Sequence, residues 1–304
     1  MQDHDHGQGT DTHRGPIAIA LGITVAVFAF QVFGALWTGS LALLFDSAHV
    51  LTDAGGLAMA LIAASLALRP ATAKRSWGFR RAEVVAALAQ AAILMAVGLY
   101  VLIEGIQRLI TPTPVASEEM IIFGVIGLVG NIAALLVLSS RRSANFNLRA
   151  AFLEVLNDAL GSVAVIVAAI IITLTGWVQA DALVAMLIGV LILPRTFILL
   201  RETINVLLES TPRNINLEDI RSHILETAGV EEVHDLHITQ IATGLPVLTA
   251  HVVVNEEIIT LGRSHEMLDL LQECVLAHFE ISIEHSTFQL EPPTHRDHEH
   301  DFTH

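Results

Sequence analysis

Two pairs of ionisable residues lie inside long apolar runs of this chain. His49 and Asp53 are four residues apart within 41–68, and Glu154 and Asp158 repeat that spacing within 152–177. Residues four apart share one face of a helix. An ionisable side chain in hydrocarbon is costly and marks a working site by default. Brought together, the pairs would surround a small volume with one imidazole and three carboxylates. Nitrogen and oxygen ligands at about 2.0–2.2 Å in a tetrahedron suit a zinc-like dication. Asp46, a turn before His49, is a candidate partner to those ligands or a carboxylate on the entry path. Ligands must lose their protons to bind, so metal and protons compete for such a site.

The plainer reading is that these groups pair with one another, or with Lys or Arg, to hold helices together. The spans as read here offer no Lys or Arg deep enough to neutralise three carboxylates, and an unpaired cluster is too costly to bury. Gln90 and Asn131, also inside apolar runs, read as hydrogen-bonding groups between helices. Gly34, Gly55, Gly56, Gly127 and Gly130 read as close-packing positions.

The elements that must carry the pairs are membrane helices. Apolar residues make up 53% of the chain and charged ones 15%, against about 25% charged in a soluble domain; mean hydropathy is +0.61. Six runs are long enough to span hydrocarbon about 30 Å thick: 16–37, 41–68, 82–110, 119–140, 148–175 and 178–201. The connection after the second run carries Arg69, Lys74, Arg75, Arg80 and Arg81, and the one after the fourth carries Arg141, Arg142 and Arg149. The other connections hold no Lys or Arg. That alternation predicts both termini on the cytoplasmic side. The opening residues, acidic and His-rich, do not read as a cleavable signal.

From about Ser210 the pattern becomes that of a small α+β domain. A helix is expected over 216–228 with Asn216 as its cap, strands over 233–241 and 246–254, a helix over 263–279 and a strand over 283–290. The sheet would carry its helices on one face. Within it, Asp235 and His237 share a strand face while His234 points the other way. The tail from Thr294 is low-complexity. With His4, Asp5 and His6 at the other end, its residues His295, His298, His300 and His304 are weak metal binders.

Composition also excludes. The net charge of −15, concentrated in the polar parts, argues against nucleic acid. One cysteine, Cys274, permits neither an intramolecular disulfide nor a cysteine metal cluster. There is no HExxH signature and no P-loop, which speaks against a metalloprotease and against an ATP-driven pump. No prosthetic group is implied. A membrane metal sensor with a structural intramembrane site is the alternative to a carrier, but no signalling module accompanies it.

At these residues the chain resembles the cation diffusion facilitator family, bacterial proton-coupled exporters of zinc and related metals. The likeness is carried by SLALLFDSAHVLTDAGG (40–56), RSWGFRRAEVVAAL (75–88), RAAFLEVLNDALGSVAVIVAAII (149–171), and HDLHIT followed by GLPVLTAHVVV (234–254). The wording looks most like the zinc, cobalt and cadmium resistance branch. The resemblance implies a homodimer in the bacterial inner membrane. Its organisation would be a tail (1–15), a six-helix transport domain (16–209), a cytoplasmic ferredoxin-like, metallochaperone-like αββαβ domain (210–291) and a His-rich tail (292–304). It implies that His49, Asp53, Glu154 and Asp158 hold the transported ion. It further implies that His234, His265 and His285 bind regulatory metal, with His237 and His251 weaker candidates. One departure stands out, since the zinc-carrier pattern has His where this chain has Glu154. With three ionised carboxylates the filled site would be left near −1, and oxygen-rich ligation tolerates harder metals. Zinc is the expected substrate, with cobalt and cadmium next.

Overall fold

The computed structural model describes residues 11–67, 72–139, 146–277 and 282–296. Six long helices come first: α1 (Asp11–Thr38), α2 (Leu41–Ala67), α3 (Ala82–Ile110), α4 (Ser117–Ser139), α5 (Phe146–Thr175) and α6 (Gln179–Leu207). Each coincides with an expected span. Over the described residues, five are long and apolar enough to cross a membrane, and α2 contributes the shorter apolar stretch Leu41–Thr52. The chain divides into two compact units, Met1–Pro70 with Ala86–Arg201, and Ala71–Val85 with Glu202–His304. The basic connection before α3 and the last turns of α6 thus belong with the C-terminal fold.

In the helical unit, small residues let helices approach closely, as expected of membrane bundles. Gly34 of α1 is covered by the Phe123 ring of α4, and Gly130 of α4 by Val27 of α1. Gly127 admits Gln31 and Ser162, and Gly161 of α5 admits the Asp46 carboxylate. Helices α3 and α6 run antiparallel in a constant register, with Gly105 against Met186, Leu102 against Gly189, and Gly98 against Leu193. Helix α3 also meets α2, with Gly98 near Phe45 and Gln90 filling the space beside Gly55.

The start of α2 is held from a distance. Asp181, at the first turn of α6, accepts hydrogen bonds from Leu41 N (2.7 Å), Ala42 N (3.2 Å) and Ser40 Oγ (2.5 Å). Those amides are among the donors a helix start leaves unpaired. Gly39 makes the preceding turn at φ 69°, and its carbonyl accepts from Arg108 Nη1 at 2.6 Å. A cap borrowed from α6 therefore sets where α2 begins.

The second unit contains α7 (Leu217–Leu225), β1 (Val230–Ala242), β2 (Leu245–Val254), α8 (Glu256–Thr260), α9 (Ser264–Ala277), β3 (His285–Glu291) and α10 (Pro293–Arg296). Asn216 caps α7 as expected, its side chain accepting from Glu218 N at 3.1 Å. Strand order is β1-β2-β3, with β1 and β2 antiparallel and β2 and β3 parallel. This is the expected αββαβ order with two short helices added. Ile220 and Ile224 of α7 and Met267, Leu271 and Val275 of α9 bury one sheet face with Val233, Leu236, Ile238, Leu248, Val252 and Phe288. The opposite face carries His234, His251 and Gln289 in one row, since His234 pairs with His251 and His251 with Gln289. The connection 72–81 is tied into this unit: Arg81 Nη2 donates to Glu209 Oε1 at 2.7 Å, and the Trp77 ring stands edge-on to His285 at 4.7 Å.

The alternation expected for β1 breaks at one point. Asp235 has φ 48°, and an extra residue between His234 and His237 makes a bulge. Val233 and Leu236 consequently both face the core, three apart instead of two.

Candidate metal-transport site

The site is built on the two helices that carry the paired ionisable residues. His49 of α2 faces Asp158 of α5, with Nε2 and Oδ1 3.9 Å apart and side chains 17% and 2% exposed. Glu154 lies one turn before Asp158 on α5, half-buried. Asp53 lies on α2 one turn beyond His49, outside the residues whose side chains are described. A tetrahedral ion with bonds of about 2.1 Å separates its ligand atoms by about 3.4 Å. The His49–Asp158 gap is too long for a hydrogen bond and close to that spacing.

Asp46 is turned away from solvent. It is 2% exposed, accepts from Gln31 Nε2 of α1 at 2.5 Å, and packs beside Gly161 of α5. Gly161 is one turn from Asp158, so Asp46 links three helices directly behind the site. Asn131 Nδ2 reaches Ser162 Oγ at 3.4 Å, the interhelical role expected of it. A carboxylate so placed can hold α2 and α5 in phase and carry a proton close to the ligands.

A second cluster lies on the sheet. Ligand atoms of His234, His251 and Glu291 all fall within 4.8 Å of one another. His234 Nε2 is 3.0 Å from Glu291 Oε1, and Glu291 is 2% exposed. The rings of His234 and His251 are 5.2 Å apart, and His295 of α10 brings its Nε2 to 3.7 Å from Glu291 Oε2. Of the three histidines expected to act together, the fold brings only His234 to this cluster. His265 opens α9, exposed, with Nδ1 3.2 Å from Gly262 O. His285 is taken up by Trp77. His237 is exposed and meets Asp235 at 2.9 Å. Glu291 was not anticipated; its signal is the alternation from Gln289 at the end of β3, just before Pro292–Pro293. His4, His6, His298, His300 and His304 lie outside the described residues.

The expectation of no deep cation is corrected by α6. Arg195 falls within that apolar helix, directly after Pro194.

Comparison with known proteins agrees with this architecture. The cation efflux transmembrane domain matches residues 17–208, and the cation efflux protein cytoplasmic domain matches 212–293. The metal cation efflux system protein CzcD of Cupriavidus metallidurans is 42% identical over 292 residues, covering 95% of this chain and 89% of that protein. A cadmium, cobalt and zinc/H(+)-K(+) antiporter of Bacillus subtilis is 35% identical over 294 residues, covering 96% and 93%. Zinc transporter ZitB of Escherichia coli is 35% identical over 283 residues, covering 92% and 88%. The chain belongs to the cation diffusion facilitator family and is a multi-pass metal cation efflux transporter, not an enzyme.

Proposed function

We propose that the protein exports divalent metal from the cytoplasm in exchange for protons, with zinc the leading substrate and cobalt and cadmium also carried. The observation that carries this reading is His49 facing Asp158 across α2 and α5 at 3.9 Å, with Asp53 and Glu154 a turn away on the same helices. Metal bound there displaces protons from its ligands, and protons arriving from the other side displace metal. Alternating access to such a site converts inward proton flow into outward metal flow. The names of the relatives support the choice of metals.

The same reading assigns the protein to the bacterial inner membrane as a homodimer with both termini cytoplasmic. Basic connections before α3 and before α5 support that orientation. His234, His251 and Glu291 are the residues proposed to hold regulatory metal in the cytoplasmic unit, where His265 and His285 lie elsewhere. Zinc there would tighten the sheet on which the cluster sits.

The test is zinc uptake into inside-out proteoliposomes that are acidic inside. Wild type should take up zinc only with the gradient, and Asp158→Ala should abolish it. Equilibrium zinc binding without gradient-dependent flux would overturn the carrier reading in favour of a sensor.

A further inference from the structure

Helix α2 starts and α5 finishes at the end whose connections carry no Lys or Arg, the end proposed above to face outward. Residues 41–48 of α2 and 159–175 of α5 therefore lie outward of His49 and Asp158. There an apolar seam closes the helical unit. Ala42 and Phe45 of α2, Val101 of α3, Val165 and Ala169 of α5 and Ala185 of α6 are buried in one cluster. Helices α1, α2, α4 and α5 form a ring of neighbours, while α3 and α6 lie along each other. The seam is where that pair meets the ring, and it stands between the proposed site and the outer surface.

The polar contacts across the seam gather at its outer mouth. Asp181 of α6 is 1% exposed and accepts from Leu41 N, Ala42 N and Ser40 Oγ. Arg108, in the last turn of α3, donates through Nη1 to Gly39 O at 2.6 Å. The same nitrogen is 4.0 Å from Asp181 Oδ2. Both helices of the pair thus grip one short turn, residues 39–42, where α2 begins. Arg108 Nε also donates to Glu104 Oε1 at 3.0 Å, a contact within α3. The grip is reversible by its chemistry. The amides of Leu41 and Ala42 are left over by helix geometry, and at an outer helix end water can take the place of Asp181.

We infer that Asp181 and Arg108 form a latch that holds α3 and α6 against the start of α2, and that it parts each time metal leaves outward. Alternating access needs one such closure on each side of the site. Asp181 and Arg108 hold helices, not the ion, and are positioning residues for transport. The inference rests on the carrier reading proposed above.

The test is side-specific labelling of the full chain in intact cells, in a Cys274→Ser background with Ala185→Cys as reporter in the seam. Membrane-impermeant maleimide applied from outside should react slowly. Arg108→Gln should speed that reaction about tenfold, the change expected for one lost charged hydrogen bond. Glu104→Gln should leave it unchanged. A reporter at Ala134→Cys, buried beside Leu138 and Val155 away from the seam, should not respond to Arg108→Gln. An unchanged rate at 185, or an equal rise at 134, would overturn the latch. Locking is the converse arm: a disulfide in Ser40→Cys/Asp181→Cys should stop zinc transport in proteoliposomes until it is reduced. Full transport by the cross-linked protein would overturn the latch and leave the carrier standing. Absence of gradient-dependent flux in wild type would overturn the carrier reading, and the latch with it.

Discussion

Replacing Glu291 by Gln removes the buried anion of the sheet cluster while keeping its shape. Glu291 Oε1 is 3.0 Å from His234 Nε2, and its carboxylate gathers there with His234 and His251. A carboxylate and two imidazoles are zinc ligands, whereas a neutral amide is a poor one. Take free zinc at a hundredfold its dissociation constant. Binding then stabilises the wild-type fold by about 2.7 kcal/mol, and amide exchange through zinc-releasing openings of β1, β2 and β3 slows about a hundredfold. If losing the anion weakens affinity a hundredfold, the same zinc contributes only about 0.4 kcal/mol, a twofold slowing. The assay is hydrogen exchange of the full chain with and without zinc, read on peptides from the three strands. His265→Ala and His285→Ala should keep the wild-type response, because neither side chain reaches the cluster. A full zinc response in Glu291→Gln, or its loss in His265→Ala, would refute the reasoning.

Two further outcomes follow from burial elsewhere. Asp181→Ala removes the cap of α2 and should cost about 0.5–2 kcal/mol, seen as a lower melting temperature; because the cap sets the phase of His49, zinc transport should fall with it. Burial pushes the Cys274 thiol above its ordinary pKa, so less reactive thiolate is present at any given pH than for an exposed cysteine. Maleimide labelling of the folded protein at neutral pH should be slow, rise with pH, and become fast on unfolding.

The two ionisable pairs were legible because helical spacing is a local property. Four residues separate His49 from Asp53 and Glu154 from Asp158, and that spacing puts each pair on one face wherever the helix goes. The sheet cluster was not legible in the same way. Counting outward from the Thr243–Gly244 turn, where Ala242 pairs with Leu245, an unbroken ladder would set His234 opposite Val253. Register shifts between Gln240 and Ala242 and between His234 and His237 bring it opposite His251 instead. Each shift costs one residue of register, and no local pattern announces it. Thus His251 and Glu291 stand beside His234, while His265 and His285 lie apart from it.

By itself, then, the chain's order of residues determined six apolar spans, their alternating basic connections, the αββαβ order of the soluble part and the two paired motifs. All of these depend on periods of two or 3.6 residues and on composition over short windows. The tertiary structure alone decided that Asp181 caps α2, 140 residues away from Leu41, and that Asp46 backs onto Gly161. These rest on register between helices and between strands, which depends on how side chains interlock across an interface and has no signature within either element.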